Sequence, residues 1–498
     1  MTGRRVVVIG GGLAGITAAI ALRESGIDVT LLEARPRLGG ATCSFTRDGL
    51  VVDNGQHVFL RCCAAYRGLL TRLGMTDAVK LQDRFDVTVL RPGPAIRQRR
   101  HARLRRNALP GPLHMALALA SYPLLSFSER LRVARAALAM KRLDPTDPAV
   151  DELALGDWLA ARGQSEQARR ALWDLFTVSA LNIAGDDANL ALAATVVKTA
   201  LLGARDAADI GVPAVPLGDL HGGAAMDVLQ RLGAEVRLGA KVTAIDVAQD
   251  SLPGIGRMFT VRLGRHADRE TASPLDRNAA TAANGMAIEA DGVIIAVPPD
   301  TAARLLPSAA ASAASAAWQG LGSSPIVNVH VVYDRRVMKL PFVAAVDSPV
   351  QWVFDRTEPS GLARDQARAA GQYLAVSVSA ADEMVDIPAA RLREIFLPAL
   401  GELFPAARTA RVTDFFVTRE RRATFRQVPG CERLRPSAAT GLPGLALAGA
   451  WTDTGWPDTM EGAVRSGLNA ARELRLALDA PTQAMAVPHP AGVLGADA

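Results

Sequence analysis

Apolar and polar positions alternate with different periods along this chain, and the periods predict its elements. Val6 to Ile9 is an unbroken run of β-formers, short and bounded by glycine, which reads as a buried strand. A helical pattern and a second apolar run ending at Glu33 follow, so the chain opens as βαβ. Val51-Val52 and the alternating stretch Val87 to Leu90 read as extended. Residues 107–143 mix proline-punctuated apolar sequence with helix. Ser126 and Glu129 stand at capping-box spacing before a helical run through Leu131, Ala134 and Leu138. Residues 150–205 read as an all-α module with Trp158, Leu172, Trp173, Leu175 and Phe176 in its core.

Mixed α/β character returns near residue 217. Asp227 to Leu232 looks helical, and 235–238 with 241–247 reads as a strand pair joined by Gly239. Residues 250–286, rich in Ser, Pro, Gly, Ala and Asn, read as a long mobile insertion. Gly292 to Val297 is another buried strand, closed by Pro298-Pro299, and 309–317 is an Ala/Ser helix or linker. Strands are expected at 325–333, 341–346, 350–354 and 373–378, with a helix near 389–404. Gly444 to Thr452 reads as a strand entering a glycine-rich turn, with a helix over 461–478 and a loose tail at 481–498.

The first turn carries the clearest chemistry. Gly10-x-Gly12-x-x-Gly15 follows the first strand at once. In such a motif one glycine makes the turn, one admits a pyrophosphate to the backbone, and one packs helix on strand. The N–H groups around Gly11, Gly12, Leu13 and Ala14 open a helix whose dipole favours phosphate. Glu33 closes the second strand at the distance expected of a carboxylate that binds an adenosine ribose. The order of strand, glycines, helix, strand and acid predicts a dinucleotide site. Arg4-Arg5 ahead of an uncharged stretch superficially resembles a signal peptide, but the stretch is glycine-broken and runs into a strand. The expectation is a chain that starts inside its fold and stays in the cytoplasm.

Length and charge refine this picture modestly. A chain of 498 residues exceeds one ordinary core and calls for two or three domains. The net charge of +6 rests mainly on arginine and favours anionic contacts. Cys43, Cys62, Cys63 and Cys431 have neither metal-site nor disulfide-framework spacing, and no metal ligation is expected.

The N-terminal βαβ and a second glycine-rich strand-turn-helix near the C-terminus together resemble the flavin amine oxidase and phytoene-desaturase superfamily. Further matches are Glu33-Ala-Arg-Pro-Arg-Leu-Gly-Gly40, Gly239-Ala-Lys-Val-Thr-Ala-Ile245 and Met460-Glu-Gly-Ala-Val-Arg-Ser-Gly467. The segments ARPRLGGATCSF, VVDNGQHVFL, Val178-Ser-Ala-Leu-Asn182, Pro213-Ala-Val-Pro-Leu-Gly-Asp-Leu220 and Ala448-Gly-Ala-Trp-Thr-Asp-Thr-Gly-Trp-Pro457 look like the squalene-associated FAD-dependent desaturases. The resemblance implies an α/β fold: a discontinuous Rossmann-like FAD-binding domain (1–60, 215–300 and 411–480), a mixed-sheet substrate domain (61–106 and 301–410) and a helical membrane-facing module (107–214). It implies FAD as cofactor, held by the first turn together with Ala34, Arg35, Gly39, Gly40, Ala41, Val242, Gly449, Asp453, Met460, Glu461 and Ala463. It also implies reduction of hydroxysqualene to squalene, with an electron donor that the sequence does not name.

Two positions depart from that pattern. Relatives usually carry Arg where this chain has Ala41, and Asp where it has Ala450. Each loss could weaken FAD binding by roughly 1–3 kcal/mol, with Arg35, Arg37 or Asp453 as compensators. His57 and Asp53 are the candidate acids for departure of a hydroxyl as water. Trp451 and Trp456 are expected to line the flavin face and stabilise positive charge. The arginine-rich run 97–106 and the greasy stretch after it, together residues 97–143, read as an element that docks on the inner membrane surface. Aromatic residues do not interleave the arginines, which argues against nucleic acid. Rival readings are a carotenoid-type desaturase and, from another class, a non-catalytic isoprenoid-binding partner protein.

Overall fold

The computed structural model describes residues 4–93, 100–248, 258–264, 286–310 and 318–479. Its organising element is a five-stranded parallel sheet, in the order Glu235–Leu238, Asp28–Glu33, Arg5–Ile9, Gly292–Ile295, Leu445–Leu447. The first strand is central, paired with residues 28–32 on one side and 292–295 on the other. Its unbroken apolar run follows from burial on both faces. Val6 and Val8 pack with the helices Leu13–Glu24 and Met460–Asp479, while Val7 and Ile9 pack with Phe259, Val261 and Ile288. The two helices approach so closely that a Cβ on Gly467 would sit 2.3 Å from the Ala14 carbonyl oxygen. Head and tail of the chain therefore share one layered unit.

The sheet corrects two expectations. The segments 235–238 and 242–247 are not a hairpin. The first extends the parallel sheet beside Asp28–Glu33, and the second starts a separate antiparallel sheet with Phe259–Leu263 and Ala287–Ala290. The supposed insertion 250–286 thus contains a strand, because Phe259 and Val261 alternate with Thr260 and Arg262 and cover the buried side of the parallel sheet. Residues 249–257, 265–285, the Ala/Ser stretch 311–317 and the tail from 480 lie outside the described residues.

A second, seven-stranded sheet runs Val412–Thr424, Ser324–Tyr333, Gln372–Val378, Trp352–Asp355, Phe342–Ala345, Asp86–Arg91, Arg100–Arg105. Strand 412–424 shifts the domain boundary expected at 411: it pairs along Ser324–Tyr333, so it belongs to this sheet and not with the C-terminal cofactor segment. On strand 324–333, Val327, Val329 and Val331 face Leu392, Phe396 and Leu400 of helix Ala389–Leu403. Asn328 and His330 fall on the opposite face, toward Asn54 and the glycine-rich half.

Helices dominate between residues 113 and 201, and Ser126 and Glu129 form the expected reciprocal cap. Asn182, in a left-handed conformation at the end of helix Asp174–Leu181, ties this module to the large sheet. Its amide donates to the Ser324 carbonyl and Thr424 Oγ1 and accepts from Ala380 N–H. The arginine run changes meaning in space. Residues 100–105 form an edge strand, Arg103 and Arg105 share Asp86, and Arg106 binds the fully buried Asp209. Arg97 and Arg99 lie outside the described residues. Among the described residues no helix is long and apolar enough to cross a membrane.

Candidate active site

The glycine turns follow the carboxyl ends of parallel strands 5–9 and 28–33, the usual ligand position in open α/β sheets. Gly10 turns there at φ 108°, and a Cβ on Gly15 would lie 1.9 Å from the Gly10 carbonyl oxygen, so the third glycine is what lets Leu13–Glu24 dock. Gly39 N–H donates to the Gly11 carbonyl at 2.8 Å, which brings the 39–40 turn over the first one. A Cβ on Gly40 would meet Gly12 Cα at 2.7 Å. Two bare backbone turns thus face each other, a cradle that accepts a pyrophosphate.

Glu33 is buried at the rim, where one carboxylate oxygen accepts from Gly11 N–H and the other from Arg35 N–H. Lone pairs remain on both oxygens for ribose hydroxyls. Ala34, Arg35 and Ala41 are exposed beside the cradle, and Arg37 donates to the Gly40 carbonyl. Val242 is buried at the start of its strand, two residues beyond the Gly239–Ala240 backbone that bonds Arg35 and Glu33. These groups fit the adenosine and pyrophosphate parts of FAD.

The C-terminal turn supplies the other end. Gly449 N–H donates to Ser466 Oγ, and Met460 and Ala463, both partly exposed, open the long helix toward the same edge. Glu461 is committed elsewhere: its carboxylate caps helix Ala64–Arg72 through Ala65 and Tyr66 N–H and pairs with Arg465. Asp453 accepts from Gly455 N–H within its own turn, so it shapes the loop rather than replacing an acid at Ala450. The Ala450 carbonyl is held by Arg435, whose buried guanidinium also reaches the carbonyls of Thr452 and Trp456. Sequence reading missed Arg435, which sits in a loop without periodicity.

The four candidate catalytic residues separate into two groups. Trp451 and Trp456 have occupied rings: Trp451 packs on Trp318 and donates to the Val297 carbonyl at 3.0 Å, and Arg465 lies over Trp456. Their expected part as an open aromatic face for a substrate cation does not fit this packing. Asp53 and His57 share one loop. Asp53 accepts from Ser44 Oγ at 2.6 Å, Leu217 N–H at 2.9 Å and buried Arg356 at 2.7 Å. With three donors fixed on it, this carboxylate is an anchor, not a proton source.

His57 is different. The Gly55 carbonyl can only accept, so Nδ1–H donates to it at 3.2 Å, and Nε2 has no hydrogen-bond partner among the described residues. Burial lowers the His57 pKa, opposed by the Gly55 hydrogen bond and the charges of Asp53 and Glu420, and reinforced by Arg356. Asp458, just before the long helix, was not picked from sequence. Its carboxyl accepts from Phe425 N–H at 2.8 Å, and burial raises its pKa to about 6.

Comparison with known proteins agrees with this geometry. The family model for flavin containing amine oxidoreductases matches residues 13–475, and the chain belongs to that family. It is a flavin-dependent oxidoreductase whose cofactor is FAD. Among curated relatives, hydroxysqualene dehydroxylase of Rhodopseudomonas palustris is 30% identical, with 95% of this chain and 99% of that protein covered. The Sinorhizobium fredii hydroxysqualene dehydroxylase is 29% identical over 94% and 97%. The 15-cis-phytoene desaturase of Glycine max is 24% identical over 94% of this chain and 79% of its own. Of solved structures, cyclohexylamine oxidase from Brevibacterium oxydans superposes with a TM-score of 0.68 at 18% identity, covering 96% of this chain and all of the other.

Proposed function

We propose that this protein reduces hydroxysqualene to squalene, replacing an allylic hydroxyl by hydrogen. The observation that carries the reading is the end-to-end match to hydroxysqualene dehydroxylases, tighter in identity and in coverage of the relative than the match to phytoene desaturases. When bound and reduced, FAD supplies the hydride equivalent. The chain's own residues handle the other half of the balance: the departing oxygen needs one proton to leave as water. His57 is the donor in this reading, with Nδ1–H on the Gly55 carbonyl and Nε2–H turned to the substrate in the imidazolium form. Asp53 holds the loop that carries it. A carotenoid-type desaturase is the second reading, supported by the phytoene desaturase matches. Anaerobic incubation of the reduced protein with hydroxysqualene should give squalene; conversion of phytoene by the oxidised protein instead would select the second reading.

The substrate is almost wholly apolar, so it must come from a membrane. Six of the thirteen exposed large apolar residues among the described residues fall between 109 and 138: Leu109, Leu113, Leu117, Phe127, Leu131 and Leu138. Phe127, Leu131 and Leu138 share one stripe of helix Phe127–Lys141 with Arg132 and Arg135 exposed beside them. This supports a docking face on the helices, while Arg103 and Arg105 of the strand before them share Asp86. Each inserted side chain contributes about 1.5–3 kcal/mol. The double variant Phe127→Ser, Leu131→Ser is therefore expected to lose at least tenfold in cosedimentation with anionic vesicles, with unchanged thermal unfolding.

A further inference from the structure

Asn54, the residue after Asp53, has every polar atom engaged by another segment. Its N–H donates to the Cys43 carbonyl, its amide donates to the Ala41 carbonyl and Glu420, and its amide oxygen accepts from Cys43 N–H. Its carbonyl accepts twice, from Asn328 Nδ2 at 3.1 Å and Thr418 Oγ1 at 3.0 Å. That last contact fixes a chain of hydrogen directions. A carbonyl only accepts, so the single Thr418 hydroxyl hydrogen points at Asn54. Thr418 Oγ1 must then accept from His330 Nε2–H at 3.0 Å, which leaves His330 Nδ1 bare to accept from the Tyr373 hydroxyl at 2.7 Å.

Tyr373 and His330 are essentially inaccessible, and Phe416 stacks on the imidazole at 4.5 Å. Burial lowers the His330 pKa to about 3, so the ring is neutral and the order of donors is preserved across ordinary pH. The same tyrosine also governs the neighbouring residue: its carbonyl accepts from Arg356 N–H, and Arg356 holds Asp53. Two arms from one region of the large sheet therefore grip two consecutive residues, immediately before Gly55-Gln56-His57.

We infer that the one-way relay Tyr373–His330–Thr418–Asn54 makes Thr418 and His330 positioning residues, which set the 55–57 loop against the bound flavin and the substrate. The inference rests on the reading above only in taking that loop as part of the reaction site. The test compares Thr418→Val, which keeps shape and removes the hydroxyl, with Thr418→Ser, which restores it. Thr418→Val should release FAD at least fivefold faster and lower kcat at least tenfold, with KM within twofold. Thr418→Ser should match wild type in all three. Equal behaviour of the two variants would overturn the inference. If Thr418→Val does not fold, Tyr373→Phe carries the test: it should speed FAD release, and a wild-type release rate would count against the relay. The release rate needs no substrate, so a wild-type protein inactive on hydroxysqualene would sink the proposed reaction without touching this result.

Discussion

Replacing His57 by alanine is expected to lower turnover of hydroxysqualene by roughly 10²–10⁴-fold, the usual worth of a positioned acid, with FAD content unchanged. Among the described residues the hydrogen bond of the His57 ring goes to its own loop at Gly55, not to the glycine turns that cradle the cofactor. The pH dependence has a defined sign. Burial lowers the His57 pKa from 6.5, so the imidazolium becomes abundant only below that value. A reaction that uses imidazolium should accelerate as pH falls from 8, about tenfold per unit, and level off below the lowered pKa. Single-turnover rates across pH 5–8 give the profile, and His57→Gln should flatten it. A wild-type rate that rises with pH would remove His57 as the donor.

Asp53→Ala is expected to destabilise the fold by about 3–5 kcal/mol, because it strands the Arg356 guanidinium at 5% exposure without its counter-ion. It also releases Ser44 Oγ and Leu217 N–H, which join the loop to two other segments. Chemical denaturation measures the loss. A double variant with Arg356→Met should recover much of it, since no buried charge is then unpaired. An acid role for Asp53 predicts the opposite pattern: lost turnover at wild-type stability, with no rescue by the second change.

The legible parts of this protein were those with local causes. Val6–Ile9, the three glycines and Glu33 announce a strand, a turn and an acid within 28 residues, and the structure places them together at one edge. The Ser126–Glu129 cap is equally local. What stayed hidden depends on partners distant in sequence. Arg356 gains meaning only from Asp53, 303 positions away, and Thr418 from Asn54, 364 positions away. Strand 412–424 escaped notice because it forms an edge, where charged residues such as Glu420, Arg421 and Arg422 break the apolar alternation. Phe259–Leu263 was masked by the polar composition on either side of it. The partners of the arginine run were hidden for the converse reason: Asp86, which Arg103 and Arg105 share, and Asp209, which binds Arg106, lie outside the run itself.

The most direct test reduces the FAD-loaded protein in D₂O without oxygen and mixes it with hydroxysqualene. The account predicts squalene bearing one deuterium at the former carbinol carbon, formed in step with reoxidation of the flavin. Unchanged alcohol beside a flavin that stays reduced, or squalene without the label, would contradict it.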